Sequence, residues 1–296
     1  MRDTGMGVQP RHENFSAVVL ATLLFPAVTM AAMRSAPPAT RPACRESIRV
    51  IRPATASDTA YEERHPLLRE PSDPNRVPGP GSLLAVVRTD SLHHPHIYIE
   101  DAIRRSSRLL LGKGASEPRW SPDGKRIACI AWESPDEPWV LTVVDPDGRR
   151  LSQPLRKFNV MGFKWAPDGR WIAVTATAGS SGRTYLALVS AIDGRVHVAD
   201  TVRVVTDYEF SWSPDSRVLA FSRVTALNAY EEPKAADIWL VVPGRRPCPL
   251  VVSSDYVETQ PRWVAADRLR YTRVPRASSA PAVEDVVVDL RPAARQ

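Results

Sequence analysis

From residue 81 onward the apolar residues fall in short runs closed by turn signals, and none repeats at the helical interval. Around residue 120 the pattern reads as four strands. Strand A ends at Trp120, and Ser121-Pro122-Asp123-Gly124 reverses the chain. Proline presets φ at the second turn position and glycine suits the fourth, which is the signature of a type I turn. Strand B (Arg126 to Trp132) and strand C (Trp139 to Asp145) follow, and Pro146-Asp147-Gly148 leads into strand D. Strand B is apolar on both alternate sets of positions, Ile127, Cys129 and Ala131 on one side and Ala128, Ile130 and Trp132 on the other. The runs WIAVTATA, TYLALVS and DIWLVV behave alike. A sheet with one wet face alternates, so these sheets are expected to be covered on both faces.

The unit recurs. RWSPDGKRIACIAW, KWAPDGRWIAVTAT, SWSPDSRVLAFSRV and RWVAADRLRYTRV align, with Trp120, Trp165, Trp212 and Trp263 spaced 45, 47 and 51 residues apart. A fifth copy, RVPGPGSLLAVV, precedes them, its Gly81 lying 43 residues before Gly124. A period of about 40–50 residues marks a propeller or a solenoid. Four β runs per period and no helix select an all-β propeller, whose blades cover one another face to face. Pro122, Asp123 and Gly124, Pro167, Asp168 and Gly169, and Pro214 and Asp215 shape the turns. The tryptophans are expected to wedge between blades, where an aromatic buries roughly 150–250 Å². Ser216 stands where the two preceding copies have Gly124 and Gly169; a left-handed backbone there costs about 1 kcal/mol.

The motif W-[SA]-P-D-[GS]-[KR]-x-[ILV]-[LA]-A resembles the TolB-like β-propeller repeat, a relative of the WD-repeat blades. The resemblance covers residues 76–296 and implies the fold. It implies no single activity, because members serve as exported scaffolds, sensor domains or gating propellers of serine peptidases. The last copy stops after its strand C (Val283 to Leu290), and an open ring would leave a bare edge. Ser47 to Ile51 is the one segment able to supply the missing strand. The expectation is five blades, with six the alternative, closed by that N-terminal strand.

Upstream, Arg2 and Arg11 precede the apolar run Phe15 to Phe25, and small residues extend past Pro26 to Ala32. Residues 1–32 read as a secretory signal. They read as an uncleaved membrane anchor if the run continues through Pro26, since about 20 residues span a bilayer. Residues 33–75 are rich in proline and read as a stalk or linker holding the closing strand, and 76–296 as the propeller. The expected location is periplasmic or otherwise extracytoplasmic.

Composition narrows the chemistry. At 43% hydrophobic and 24% charged residues, neither wholesale disorder nor a multi-span membrane protein fits. Three cysteines are too few for a disulfide scaffold or zinc cluster, and Cys129, in mid-strand, reads as a small buried hydrophobe. The net charge of +6 accompanies general Arg, Pro and Ala richness, so it is not taken as a nucleic-acid footprint. No G-x-S-x-G elbow, P-loop or dinucleotide fingerprint occurs, and no catalytic residue or cofactor is assigned. His93, His96 and Glu100 are candidate zinc ligands, although Pro95 splits the set and a solvated loop is the plainer reading. Strand A positions offer the channel Asp207, Glu209 and Glu258 but no histidine, which leans toward binding.

In an up-and-down meander the A–B and C–D turns share one end of the propeller and the B–C loops the other. The turns are tight and alike, whereas the B–C loops vary freely, and variable loops on a rigid scaffold are where binding residues concentrate. Glu133, Asp136, Tyr230, Glu231 and Glu232 are therefore the candidate partner contacts. Cations follow the turns at the opposite end, each near a turn aspartate. The resulting expectation is an exported, monomeric, non-catalytic scaffold that binds another envelope or secreted protein, with membrane association through its N-terminal segment. The alternatives are a hydrolase or lyase acting on glycans or peptides in the central channel, and a membrane-tethered sensor.

Overall fold

A computed structural model describes residues 47–58, 72–112, 114–134, 136–179, 183–202, 210–229, 233–277 and 282–291. Strand β1 (Ser47–Pro53) opens the described chain. Blade 1 contains β2 (Arg76–Pro78), β3 (Leu83–Thr89), β4 (Pro95–Asp101) and β5 (Ser106–Leu111). Blade 2 contains β6 (Ala115–Trp120), β7 (Ile127–Ala131), β8 (Val140–Val144) and β9 (Arg150–Ser152). Blade 3 contains β10 (Asn159–Trp165), β11 (Trp171–Thr177), β12 (Thr184–Ser190) and β13 (Val196–Val202). Blade 4 contains β14 (Phe210–Trp212), β15 (Leu219–Leu227), β16 (Pro233–Val241) and β17 (Cys248–Val251). Blade 5 contains β18 (Tyr256–Ala265), β19 (Arg268–Pro275) and β20 (Glu284–Arg291), with β1 as its outer strand. The chain is a five-bladed β-propeller of four-stranded antiparallel sheets.

Two-sided apolar strands produce the packing anticipated from their pattern. On β7, Ile127, Cys129 and Ala131 join a core with Ala85, Ile97 and Ile99 of blade 1, while Ala128 and Ile130 join Val160, Phe163 and Val174 of blade 3. Further cores join blade 3 to 4 and blade 4 to 5. No such core joins blade 5 to blade 1 among the described residues.

The tryptophans do more than fill space. Each indole Nε1–H donates to a carbonyl on the inner strand of the preceding blade: Trp120 to Val77 (3.3 Å), Trp165 to Arg119 (3.1 Å), Trp212 to Lys164 (3.2 Å) and Trp263 to Ser211 (3.1 Å). Pro78 occupies the corresponding place in blade 1, pairing with Leu84 as Trp120 pairs with Ile127. Proline has no ring donor, so the junction with blade 5 lacks this stitch.

The A–B turns are satisfied locally. In blade 2 the Gly124 amide donates to Ser121 O (2.8 Å), and the Ser121 hydroxyl and Lys125 amide donate to Asp123. Gly124 has φ +67°, Gly169 +68° and Ser216 +61°, so Ser216 does adopt the left-handed backbone. Its Oγ accepts the Asp168 amide of blade 3 at 2.8 Å, an interaction glycine cannot make. Ser216→Ala retains the strain and loses this bond, and should lower stability by about 1 kcal/mol. Ser216→Gly relieves the strain as it loses the bond and should change stability little. Urea unfolding of the pair distinguishes these outcomes, and equal losses would contradict this account.

Closure falls to β1, which pairs antiparallel with β20 from Ser47↔Arg291 to Pro53↔Val286. This is two residues longer than the Ser47–Ile51 segment singled out by sequence. Beyond it, Thr55-Ala56-Ser57-Asp58 makes a single turn, in which the Thr55 amide and hydroxyl donate to the Asp58 carboxylate at 2.9 and 2.7 Å. The buried Asp58 carboxylate also accepts both Arg52 Nη atoms (2.8 and 3.0 Å) and Arg268 Nη1 (3.2 Å). The closing segment is thereby fastened to the strand at the far end of the chain.

Candidate partner-binding cleft

The B–C loops and D–A connections gather at one end, and there, between blades 1 and 2, lies a cleft of 360 Å³. Its position follows from where β9 stops. Gln153-Pro154 succeeds Ser152, and proline cannot donate to a ladder. The chain turns inward, with Leu155 and Phe158 packed against the core between blades 2 and 3. Gln153 stays behind, its Nε2 donating to Thr142 Oγ1 at 3.0 Å.

Apolar walls come from Leu111, Ala131, Trp132, Pro138 and Val140. Gly114 is required here: at φ +65°, a Cβ on it would lie 2.6 Å from the Trp132 indole nitrogen. Trp132 and Trp139 meet with centroids 5.5 Å apart, and Trp139 is half exposed. Charge lines the other side. Arg150 Nη1 reaches Glu133 Oε1 at 3.4 Å and Gln153 Oε1 at 3.2 Å, while Arg156 Nη2 donates to Gln153 Oε1 at 2.9 Å. Pairing each guanidinium with an exposed acceptor leaves these charges available to an incoming group at little cost, because exposed pairs contribute about 0–1 kcal/mol.

Of the partner contacts read from sequence, Glu133 lines this cleft. Asp136 is exposed on the same loop and is not part of the lining, and Tyr230, Glu231 and Glu232 lie outside the described residues. The cleft residues Arg150, Gln153 and Arg156 escaped the sequence reading; the Pro154 stop, leaving an unusually short strand D, was the available signal.

The zinc candidates do not come together as His93, His96 and Glu100. His93 is exposed in a turn at φ +63°, Glu100 pairs with Arg88 and lies 3.7 Å from Arg76, and His96 Nε2 lies 3.2 Å from Asp90 Oδ2. The His94 amide, helped by His96 and the Leu92 amide, holds the Asp90 carboxyl down to about 2. Among the described residues no group of three His, Cys, Asp or Glu side chains is placed to hold a metal. On the opposite face Arg126, Arg149, Arg195 and Arg217 lie 3.8, 3.1, 3.0 and 3.6 Å from Asp123, Asp145, Asp193 and Asp215, so local pairing cancels the turn cations.

Of the channel acids, Asp207 and Glu209 lie outside the described residues. Glu258 is 1% exposed, on the inner strand of blade 5, and its Oε2 has no hydrogen-bond partner among the described residues. Burial, and then the Asp237 carboxylate, push it up to about 7 against the pull of Arg276 and Arg273. Cys129 is a buried free thiol, pushed up to about 12 by burial.

No family model matches the sequence, and no curated protein matches it. Solved structures with a similar shape include the β-propeller domain of the Trilobed protease from Pyrococcus furiosus, at 15% identity and TM-score 0.48 over 71% of this chain and 67% of that one. They also include an oligogalacturonate lyase in complex with manganese, at 12% and 0.47 over 76% of this chain and 68% of the other. TolB from Acinetobacter baumannii is similar at 14% and 0.40, over 70% and 51%. Likeness at this level concerns shape and carries nothing about activity.

Proposed function

We propose that this chain is an exported, non-catalytic β-propeller that holds another envelope or secreted protein through its loop face, with the cleft between blades 1 and 2 as the contact. The observation that carries this reading is the cleft itself, an apolar trough with exposed, exchangeable charges, placed where the variable loops converge. Export draws support from Cys248, which is disulfide-bonded, because such bonds persist in oxidising compartments. The described residues contain no helix long and apolar enough to cross a membrane, and residues 1–32 lie outside them.

Gly112 offers a clean test. It lines the cleft, and a Cβ there would meet Leu109 Cδ2 at 3.7 Å and His96 Nδ1 at 4.0 Å, ordinary contacts. Gly112→Phe should therefore fill the trough without unfolding the blades. Photocrosslinking from position 133 in intact cells should yield a dominant protein adduct, lost by at least about tenfold in Gly112→Phe. An adduct indifferent to the plug, or none at all, would refute the cleft as the contact.

A second reading, a propeller enzyme acting on glycans or peptides, draws on Glu258. A carboxyl that changes charge near neutrality is the kind of group acid–base chemistry uses. Its burial keeps it from substrate, which is why binding is preferred here. Turnover of a glycan or peptide that disappears in Glu258→Gln would reverse the order.

A further inference from the structure

The chain has three cysteines, Cys44, Cys129 and Cys248. Cys129 is a buried free thiol on β7, whereas Cys248 is disulfide-bonded. Within one chain, elimination leaves Cys44, just ahead of Ser47 in the sequence, as the thiol able to pair with Cys248. Strand directions agree with this. β16 ends at the tight-turn end of blade 4, and β17 starts there with Cys248, which is opposite Leu240. β20 ends at the same end of blade 5, so antiparallel β1 starts there, with Ser47 opposite Arg291. β1 and β17 are the outermost strands of neighbouring blades. Cys248 packs against the core shared by blades 4 and 5, and that core contains Leu290, the residue opposite Ile48. Extended chain covers about 3.3–3.6 Å per residue, so the short step back from Ser47 to Cys44 reaches roughly 10 Å.

We propose that Cys44 and Cys248 form a disulfide that clasps the closing strand, so that the ring is held covalently ahead of β1 and by Asp58 beyond it, and opens under a dithiol reductant. The bond forms as the two thiols give up two protons and two electrons to an exchanging disulfide, which becomes two thiols. Opening runs in reverse. A thiolate of the reductant attacks one sulfur, and the other cysteine leaves as a thiolate and takes a proton. The second reductant thiol then displaces the first cysteine, so both cysteines return to thiols and the reductant becomes its cyclic disulfide. Blade 5 meets blade 1 without an apolar core or an indole bond among the described residues, so the closing strand bears the closure. Its release bares the β20 edge, a template for pairing with another chain. This inference goes beyond partner binding and does not involve the cleft.

The test begins with the purified full chain, alkylated and digested without reduction. A linked pair of peptides carrying Cys44 and Cys248 is expected, with Cys129 alkylated only after unfolding. Hydrogen exchange then compares the chain with and without dithiothreitol. The β1 and β20 amides should exchange about tenfold or more faster after reduction, while those of blades 2 and 3 change little. Cys44→Ser should show the fast exchange without reductant and no further response to it. An alkylated Cys44 in the unreduced chain, a Cys248 bonded to a second chain or to a small thiol, or β1 exchange that reduction leaves unchanged overturns the proposal. The Gly112→Phe adduct tests the cleft separately, so either reading can fail alone.

Discussion

Asp58→Ala is expected to unfasten the ring. The carboxylate is buried and compensates two guanidinium groups, and removing one member of such a cluster leaves uncompensated charge, at a cost of about 3–5 kcal/mol when all partners are buried. Arg52 and Arg268 keep 29% and 39% of their side-chain surface in water, so the lower end, about 3 kcal/mol, applies. No apolar core or indole bond seals blade 5 to blade 1 among the described residues, so the loss should appear first as local opening. Hydrogen exchange should show the β1 and β20 amides losing protection before those of blades 2 to 4, and a uniform loss would contradict the latch. The same group sets an acid limit. Its bonds to Arg52, and then those from Thr55, hold Asp58 below the usual carboxylate range. Its contribution is therefore full above the unfolded value near 4 and disappears as pH falls through the lower folded value. Asp58→Asn should flatten that part of the acid unfolding curve.

Glu258 has the opposite sign. Burial raises its folded pKa to about 7 from 4.5, so the folded protein binds the proton more tightly than the unfolded chain. Its contribution to stability is then full below about pH 4.5 and declines as pH rises toward 7, by roughly 3 kcal/mol across the interval. The charged groups acting on it are Asp237 from β16, Arg276 beyond β19 and Arg273 from β19. Glu258→Gln should be flat over that range and more stable than the parent at pH 8 by about the same amount. Asp237→Asn removes a repelling charge, so the folded pKa of Glu258 falls and the decline ends at lower pH and is smaller. Urea unfolding at pH 5, 6, 7 and 8 measures all three proteins, and parallel curves for parent and Glu258→Gln would remove Glu258 as the cause.

The repeat was legible because its cues are local. Trp-Ser-Pro-Asp-Gly encodes a turn through the fixed φ of proline and the permissive φ of glycine, wherever the chain later goes. Doubly apolar strands such as β7 demand cover on both faces, and like neighbours provide it. Even the closing strand could be located, since the last copy lacks its outer member and Ser47–Ile51 is the upstream run with strand character. The position of Pro78 in the place of a fifth tryptophan was harder to see, because the blade 1 turn is one residue shorter and its alignment shifts.

What the chain order alone determined is thus the blade, its turns, its count and its means of closure, all consequences of short-range geometry and two-sided burial. Tertiary structure decided the rest. Asp58 finds Arg268 across 210 residues, and Glu258 becomes a neutral-range acid only when blade 4 excludes water from it. The cleft lies where β9 stops after three residues, between the ends of blades 1 and 2. Desolvation and cavities arise from surfaces meeting in space, and no run of residues carries that information until the ring has closed.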